Sequence, residues 1–187
     1  MLTSSWARRA MKQSAIMLAG SALYAVAIYL TAILNIPGAD NVQLRPGVAI
    51  PILCGVLFGP AAGFVTGFVG NLIADQFLGW GFWFYWYIGN GVMGLVAGLF
   101  RPPVTAYPRA QAIVLVVGRA ALGILLGMAI ASISEYWVTE STWNDIVWVN
   151  FVPAFLSNLI NAIIIVPIIL VLYGLLREST SGDAIQS

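Results

Sequence analysis

Between Gly47 and Phe58 the chain reads GVAIPILCGVLF, an apolar run too short for an ordinary membrane span and too apolar for an exposed loop. The reading of this stretch decides the topology of everything after it. Longer apolar runs of roughly 20 residues, the length needed to cross a bilayer as a helix, extend from Ser14 to Leu34, Ala61 to Leu78, Phe84 to Phe100, Ala112 to Ser134 and Val149 to Leu176. Of the 187 residues 60% are hydrophobic and 8% charged, against about a quarter charged in a soluble domain. The chain therefore reads as a membrane protein with five or six spans. Charge decides between the two, because Lys and Arg in short loops collect on the cytoplasmic side. With six spans and a cytoplasmic N-terminus, Arg8, Arg9, Lys12, Arg101, Arg109 and Arg177 all lie inside and only Arg45 among the loop cations lies outside. If Gly47 to Phe58 does not cross, Arg8, Arg9 and Lys12 remain inside while Arg45, Arg101, Arg109 and Arg177 fall outside. The six-span count is the better partition, and it also puts Asp40, Glu140 and Asp145 outside. The expectation is an all-α integral membrane protein with six transmembrane helices and both termini cytoplasmic. Residues 1–178 form one membrane domain and 179–187 a short polar C-terminal tail.

Several function classes are excluded by what is missing. There is no His, so His-based catalytic triads and His-ligated metal sites are absent. Cys54 is the single cysteine; set in an apolar segment, it reads as a packed thiol. No stretch has the GxxxxGK-Ser/Thr pattern that cradles ATP phosphates, so any ATP-driven work must come from a partner. No enzyme activity, cofactor, metal or nucleic-acid partner is expected. The Arg8-Arg9 pair before an apolar run resembles an export signal, but the run is too long and lacks a clear small-residue cleavage site; it reads as a retained first helix.

Residues four apart share a helix face, and four helices carry stripes at that spacing: Gly59, Gly63, Gly67, Asn71 and Asp75; Asn90, Gly94 and Gly98; Gly123, Gly127, Ala131 and Glu135; Asn150, Ala154, Asn158 and Ala162. Small residues let helices approach closely in lipid, so one reading is ordinary packing with Asn side chains bonding helix to helix. In the six-span topology, however, every polar member lies toward the outer half, which points to a cavity there. Asp75 and Glu135 strengthen this. Intramembrane ionisable groups are costly and tend to mark ligand sites, and both sit near helix C-termini, where the helix dipole disfavours negative charge by a few tenths to about 1 kcal/mol.

Between these helices runs Trp80-Gly81-Phe82-Trp83-Phe84-Tyr85-Trp86-Tyr87. Aromatic rings anchor proteins at membrane interfaces, but this density exceeds what anchoring requires. Trp83 and Trp86, with Trp137 and Trp143 of the next outer loop, offer faces for a flat heteroaromatic ligand or a cation. Arg119, in the inner half of its helix, snorkels toward the cytoplasmic side and takes a structural or partner-facing role.

The stretch Gln43 to Phe100, with Leu57-Phe58-Gly59-Pro60-Ala61-Ala62-Gly63-Phe64, Gly70-Asn71, Asp75, Trp83, Trp86, Gly94 and Gly98-Leu99-Phe100, resembles the S components of energy-coupling-factor (ECF) vitamin transporters, the riboflavin-type branch above all. The resemblance implies a substrate-binding subunit that captures a vitamin or precursor from the extracytoplasmic side of a prokaryotic plasma membrane. A separate transmembrane coupling protein and two ATPase subunits then drive its release inward. It also implies that Ala15 and Ala19, which match the family's AxxxA pattern on the first helix, face the coupling protein. The substrate-binding candidates are thus Asn71, Asp75, Trp83, Trp86, Asn90, Glu135, Trp143 and Asn158. A structural scaffold of the MreD type and a stand-alone secondary transporter are the alternatives.

Overall fold

The computed structural model describes residues 2–34, 43–99, 102, 107 and 109–186, and among them the side chains of residues 5–177. Asp40 and Arg101, used in the charge partition, and Phe100 of the family-like stretch lie outside the described residues. Six α-helices form among those described: α1 (Leu2–Thr31), α2 (Ala49–Phe58), α3 (Pro60–Leu78), α4 (Phe84–Gly98), α5 (Ala110–Val138) and α6 (Val152–Gln186). A 3₁₀ turn, Pro46–Val48, leads into α2, and a π-helical segment, Asp145–Phe151, leads into α6. The all-helical, six-helix reading therefore holds in number. Four stretches, Ser5–Thr31, Pro60–Leu78, Ala110–Val138 and Asp145–Arg177, are long and apolar enough to cross a membrane. The helix α1 starts well before the expected Ser14 because Ala7, Arg8, Arg9, Met11, Lys12 and Gln13 are all good helix formers.

The stretch that decided the topology is a helix, but a short one. At 10 residues and about 1.5 Å rise per residue, α2 covers roughly 15 Å, half of a hydrocarbon core about 30 Å thick. It tolerates this because it faces protein rather than lipid: Ala49, Pro51, Ile52, Leu53, Cys54, Gly55 and Val56 are all buried against α3, α4 and α6. Pro46 and Pro51 fall at the start of the segment, where a missing N–H breaks no helical hydrogen bond. Gly59 ends it. With φ of +111°, Gly59 holds a backbone conformation open to glycine and costly for other residues, and Pro60 at the first position of α3 is preset for a helix start. The Phe58-Gly59-Pro60 sequence thereby reverses the chain with no intervening loop.

Glycine positions carry the packing. A Cβ placed on Gly63 would collide with the backbone of Gly94, one on Gly94 with that of Gly63, and one on Gly55 with the Gly94 carbonyl. On the opposite side of α4, Gly89 and Gly127 exclude each other's Cβ in the same way, and a Cβ on Gly123 would lie 2.8 Å from the Met93 carbonyl oxygen. Helix α4 is thus held at backbone contact by α2 and α3 on one side and α5 on the other. α1 packs on α3, and α6 joins α5 to α2. The buried apolar residues Ile52, Val56, Met93, Ala97, Ile124, Met128, Val166 and Leu170 fill the space between.

These contacts are backbone against backbone, so no side chain can move aside. Gly63→Ala and Gly94→Ala are each expected to destabilise the protein by about 1–3 kcal/mol, the usual cost of overpacking, whereas Gly118→Ala, with nothing within 4 Å of the added Cβ, is expected to be neutral or mildly stabilising. Thermal unfolding of the three variants in detergent checks this. Equal melting temperatures for Gly63→Ala and wild type would mean that the helices stand further apart.

Candidate functional site

The polar ends of the stripes converge. At one end of the bundle a cavity of about 550 Å³ opens between the C-terminal ends of α3 and α5 and the N-terminal ends of α4 and the π–α6 unit. The segment leading into α2 supplies Gln43 and Arg45 to its wall. Its size falls within the range of roughly 300–1,000 Å³ common to small-molecule sites.

One wall is built on Asp75, which is only 4% exposed. Asn71, one turn earlier on α3, donates from Nδ2 to Asp75 Oδ2 at 3.1 Å. Asn71 Oδ1 in turn accepts from Arg45 Nη1 at 3.1 Å, and Arg45 Nη2 donates to Gln43 Oε1 at 3.1 Å. The guanidinium also lies 5.9 Å from the centre of the Trp80 ring, within cation–π range. Arg45 therefore supports Asp75 through an amide relay. The second carboxylate oxygen, Asp75 Oδ1, is buried without a hydrogen-bond partner. Oδ1 is closed off from the cavity, and the Tyr87 hydroxyl acts on the same carboxylate, so Asp75 is held between α3, α4 and the lead-in to α2.

Glu135 anchors the facing wall. Trp86 donates from Nε1 to Glu135 Oε1 at 2.7 Å, and Asn150 donates from Nδ2 to Glu135 Oε2. Asn150 lies in the π-helical segment, whose wider turn is a recurrent feature of functional sites. That segment starts at a reciprocal cap: Thr142 N–H and Oγ1–H donate to Asp145 Oδ2 at 3.0 and 2.6 Å, and Asp145 N–H donates back to Thr142 Oγ1 at 3.3 Å. Asp145 and Ser141 complete the rim on this side.

The floor is amide and thioether. Asn90 Nδ2 donates to the Trp86 carbonyl at 2.8 Å, and Asn90 Oδ1 accepts from the Tyr24 hydroxyl at 2.9 Å, which ties α1 to the cavity. Asn158 Nδ2 meets only the sulfurs of Met128 at 3.2 Å and Met93 at 3.7 Å. Thioethers are weak acceptors, so this amide retains capacity for a better partner.

The aromatic connection divides into two roles. Trp80, Trp83 and Trp86 line the cavity. Phe82 and Phe84 stack on each other, and Phe68 and Phe82 set their edges against the buried Tyr87. The Tyr87 hydroxyl accepts from Trp83 N–H at 3.0 Å and donates to the Gly81 carbonyl at 3.1 Å, while Trp83 Nε1 donates to the Trp80 carbonyl at 2.7 Å. The connection is a self-packed unit that holds three indoles at the cavity.

Of the residues expected from sequence, Asn71, Asp75, Trp83, Trp86, Asn90, Glu135 and Asn158 all line this one cavity. Trp143 does not: it is 54% exposed and stacks on Tyr136 at 4.9 Å, and Trp137 packs edge-on against the same Tyr136. Trp137 and Trp143 are not among the residues that line this cavity. Sequence reasoning missed Gln43, Arg45, Trp80, Asn150, Asp145 and the supporting Tyr24. For Arg45 a signal existed, since it was the one loop cation placed on the outer side. Ala15 and Ala19 lie elsewhere, exposed on the outer face of α1.

The chain is similar to UPF0397 proteins. It is 38% identical over 110 residues to one from Vibrio atlanticus (strain LGP32), covering 59% of this chain and 58% of that protein. It is 41% identical over 81 residues to one from Aliivibrio fischeri (strain MJ11) and 40% over 81 residues to one from Vibrio vulnificus (strain YJ016), each covering 43% of both partners. The chain thus matches about half the length of these relatives. No solved structure matches it. The family described as the S component of ECF-type riboflavin transporters matches residues 9–177, a span that takes in α2 to α5, most of α1 and α6 and every cavity residue, and the chain belongs to that family.

Proposed function

We propose that this chain is the substrate-binding S component of an ECF-type ABC importer, taking a vitamin or vitamin precursor from the extracytoplasmic side. The observation that carries this reading is the convergence of Asp75, Glu135 and three tryptophans on one cavity of about 550 Å³. A scaffold has no use for such a cavity. Flat rings stack on indole faces, and ring N–H or O–H groups are suited to a wall that carries carboxylates. The chain has no ATP-binding pattern, so energy comes from two ATPase subunits acting through a transmembrane coupling protein.

In the proposed orientation both termini are cytoplasmic and the cavity faces outward, with the membrane domain ending near residue 178 and a polar tail following. The coupling protein docks on α1 at Ala15 and Ala19. Both are exposed on the face turned away from the bundle, whereas the neighbouring Gly20 and Ser21 face α3. Two small residues four apart let a partner helix approach to backbone distance.

Three outcomes are expected. The small molecule retained through purification, once identified by mass spectrometry, quenches tryptophan emission, and Trp83→Ala with Trp86→Ala weakens its binding by about 1–3 kcal/mol, as for stacked bases. Calorimetric titration of Asp75→Asn shows a loss of about 1.5–3 kcal/mol, the worth of a hydrogen bond to a charged group; an unchanged dissociation constant would assign Asp75 to helix packing alone. Ala15→Trp and Ala19→Trp abolish co-purification with the coupling protein while the isolated subunit keeps its ligand affinity. Intact complexes in both variants would move the docking face elsewhere.

A further inference from the structure

The charge inside the cavity narrows the substrate class. Three carboxylates, Asp75, Glu135 and Asp145, face the cavity against one guanidinium, that of Arg45. Arg45 is already committed: it donates to the amides of Asn71 and Gln43, and its face lies over Trp80. Through Asn71 it supports one oxygen of Asp75. Glu135 is 8% exposed and receives hydrogen bonds from an indole and an amide. Both are neutral donors, which solvate a carboxylate without cancelling its charge. In a partly dry cavity that uncancelled charge acts strongly on whatever enters. The indole faces act in the same sense, since a ring quadrupole attracts cations and repels anions.

On the reading of this cavity as a substrate site, we propose that its substrate is a flat heteroaromatic cation, carrying a permanent or protonated positive charge beside a ring N–H or amino group. The ring stacks on the tryptophans, its amino or N–H edge lies toward Asp75, and the positive charge lies toward Glu135. A neutral ring would leave the negative field uncompensated, and an anion would be repelled by it. The site therefore selects by charge among rings of similar size.

Calorimetric titration of the wild-type protein in detergent, after exchange to remove retained ligand, tests this with two probes: thiamine, a cationic heteroaromatic with an aminopyrimidine, and riboflavin, a neutral one. Thiamine is expected to bind at least about tenfold more tightly, the scale of one charge-assisted contact. Glu135→Gln is expected to reduce thiamine affinity by a similar factor and riboflavin affinity by distinctly less; an equal loss for both probes would assign Glu135 to holding Trp86 rather than to the charge. Riboflavin binding as tightly as thiamine, or more so, overturns the cation assignment while leaving the substrate site standing. If neither probe binds, the molecule retained through purification decides: a cation supports the assignment, and a neutral or anionic compound overturns it. Failure to retain any small molecule, with neither probe binding, overturns the substrate-site reading itself. The wild-type comparison does not depend on any variant folding.

Discussion

Backbone contact between glycines is the constraint on which the rest of this bundle depends. In lipid there is no hydrophobic drive bringing helices together, so stability comes from close van der Waals packing and from hydrogen bonds between helices. Gly55, Gly63 and Gly94 bring three helices to one point, and Gly89 and Gly127 bring α4 and α5 together on the far side of α4. Backbone contact continues along α4 as far as Asn90, whose carbonyl a Cβ on Gly67 would strike. The cavity forms where the glycine stripes give way to Asn71, Asp75, Asn90 and Glu135. Packing seam and polar site are two ends of the same helix faces.

That continuity is why much of the molecule could be read from sequence. A four-residue spacing that changes from glycine to amide or carboxylate places the polar groups on the same face as the seam, and so inside the bundle. Seven of the eight expected substrate-binding residues follow this rule or flank it. Trp143 followed no stripe; it was grouped with the others by composition alone, and it stacks instead on Tyr136. Arg45 and Gln43 escaped because they lie in an extended lead-in to α2, where no helical period links them to Asn71. Asn150 stood in its stripe, but its bond to Glu135 depends on a π-helical turn, and no residue spacing announces a turn of that width.

The short α2 shows the limit of reading spans by length. A segment covering half a bilayer looks defective on its own, yet burial on nearly every side makes its length irrelevant to lipid. Irregular or short elements at membrane depth are tolerated where protein surrounds them. The same shielding lets the chain in front of α2 reach the cavity. Leu44 N–H donates to the Leu34 carbonyl at 2.7 Å and Ser157 Oγ donates to the Gln43 carbonyl at 3.3 Å, so this lead-in is pinned to the chain just beyond α1 and to α6 while Arg45 reaches α3.

The two carboxylates are thereby given unequal surroundings. Asp75 has a cation nearby, acting through Asn71, and one oxygen with no partner; Glu135 has both oxygens met by neutral donors and no cation among its hydrogen-bond partners. A burial cost of this kind is retained in a membrane bundle only where something else compensates it. On the proposed reading, a bound cation would offset both that cost and the dipole penalty carried by carboxylates at these helix ends.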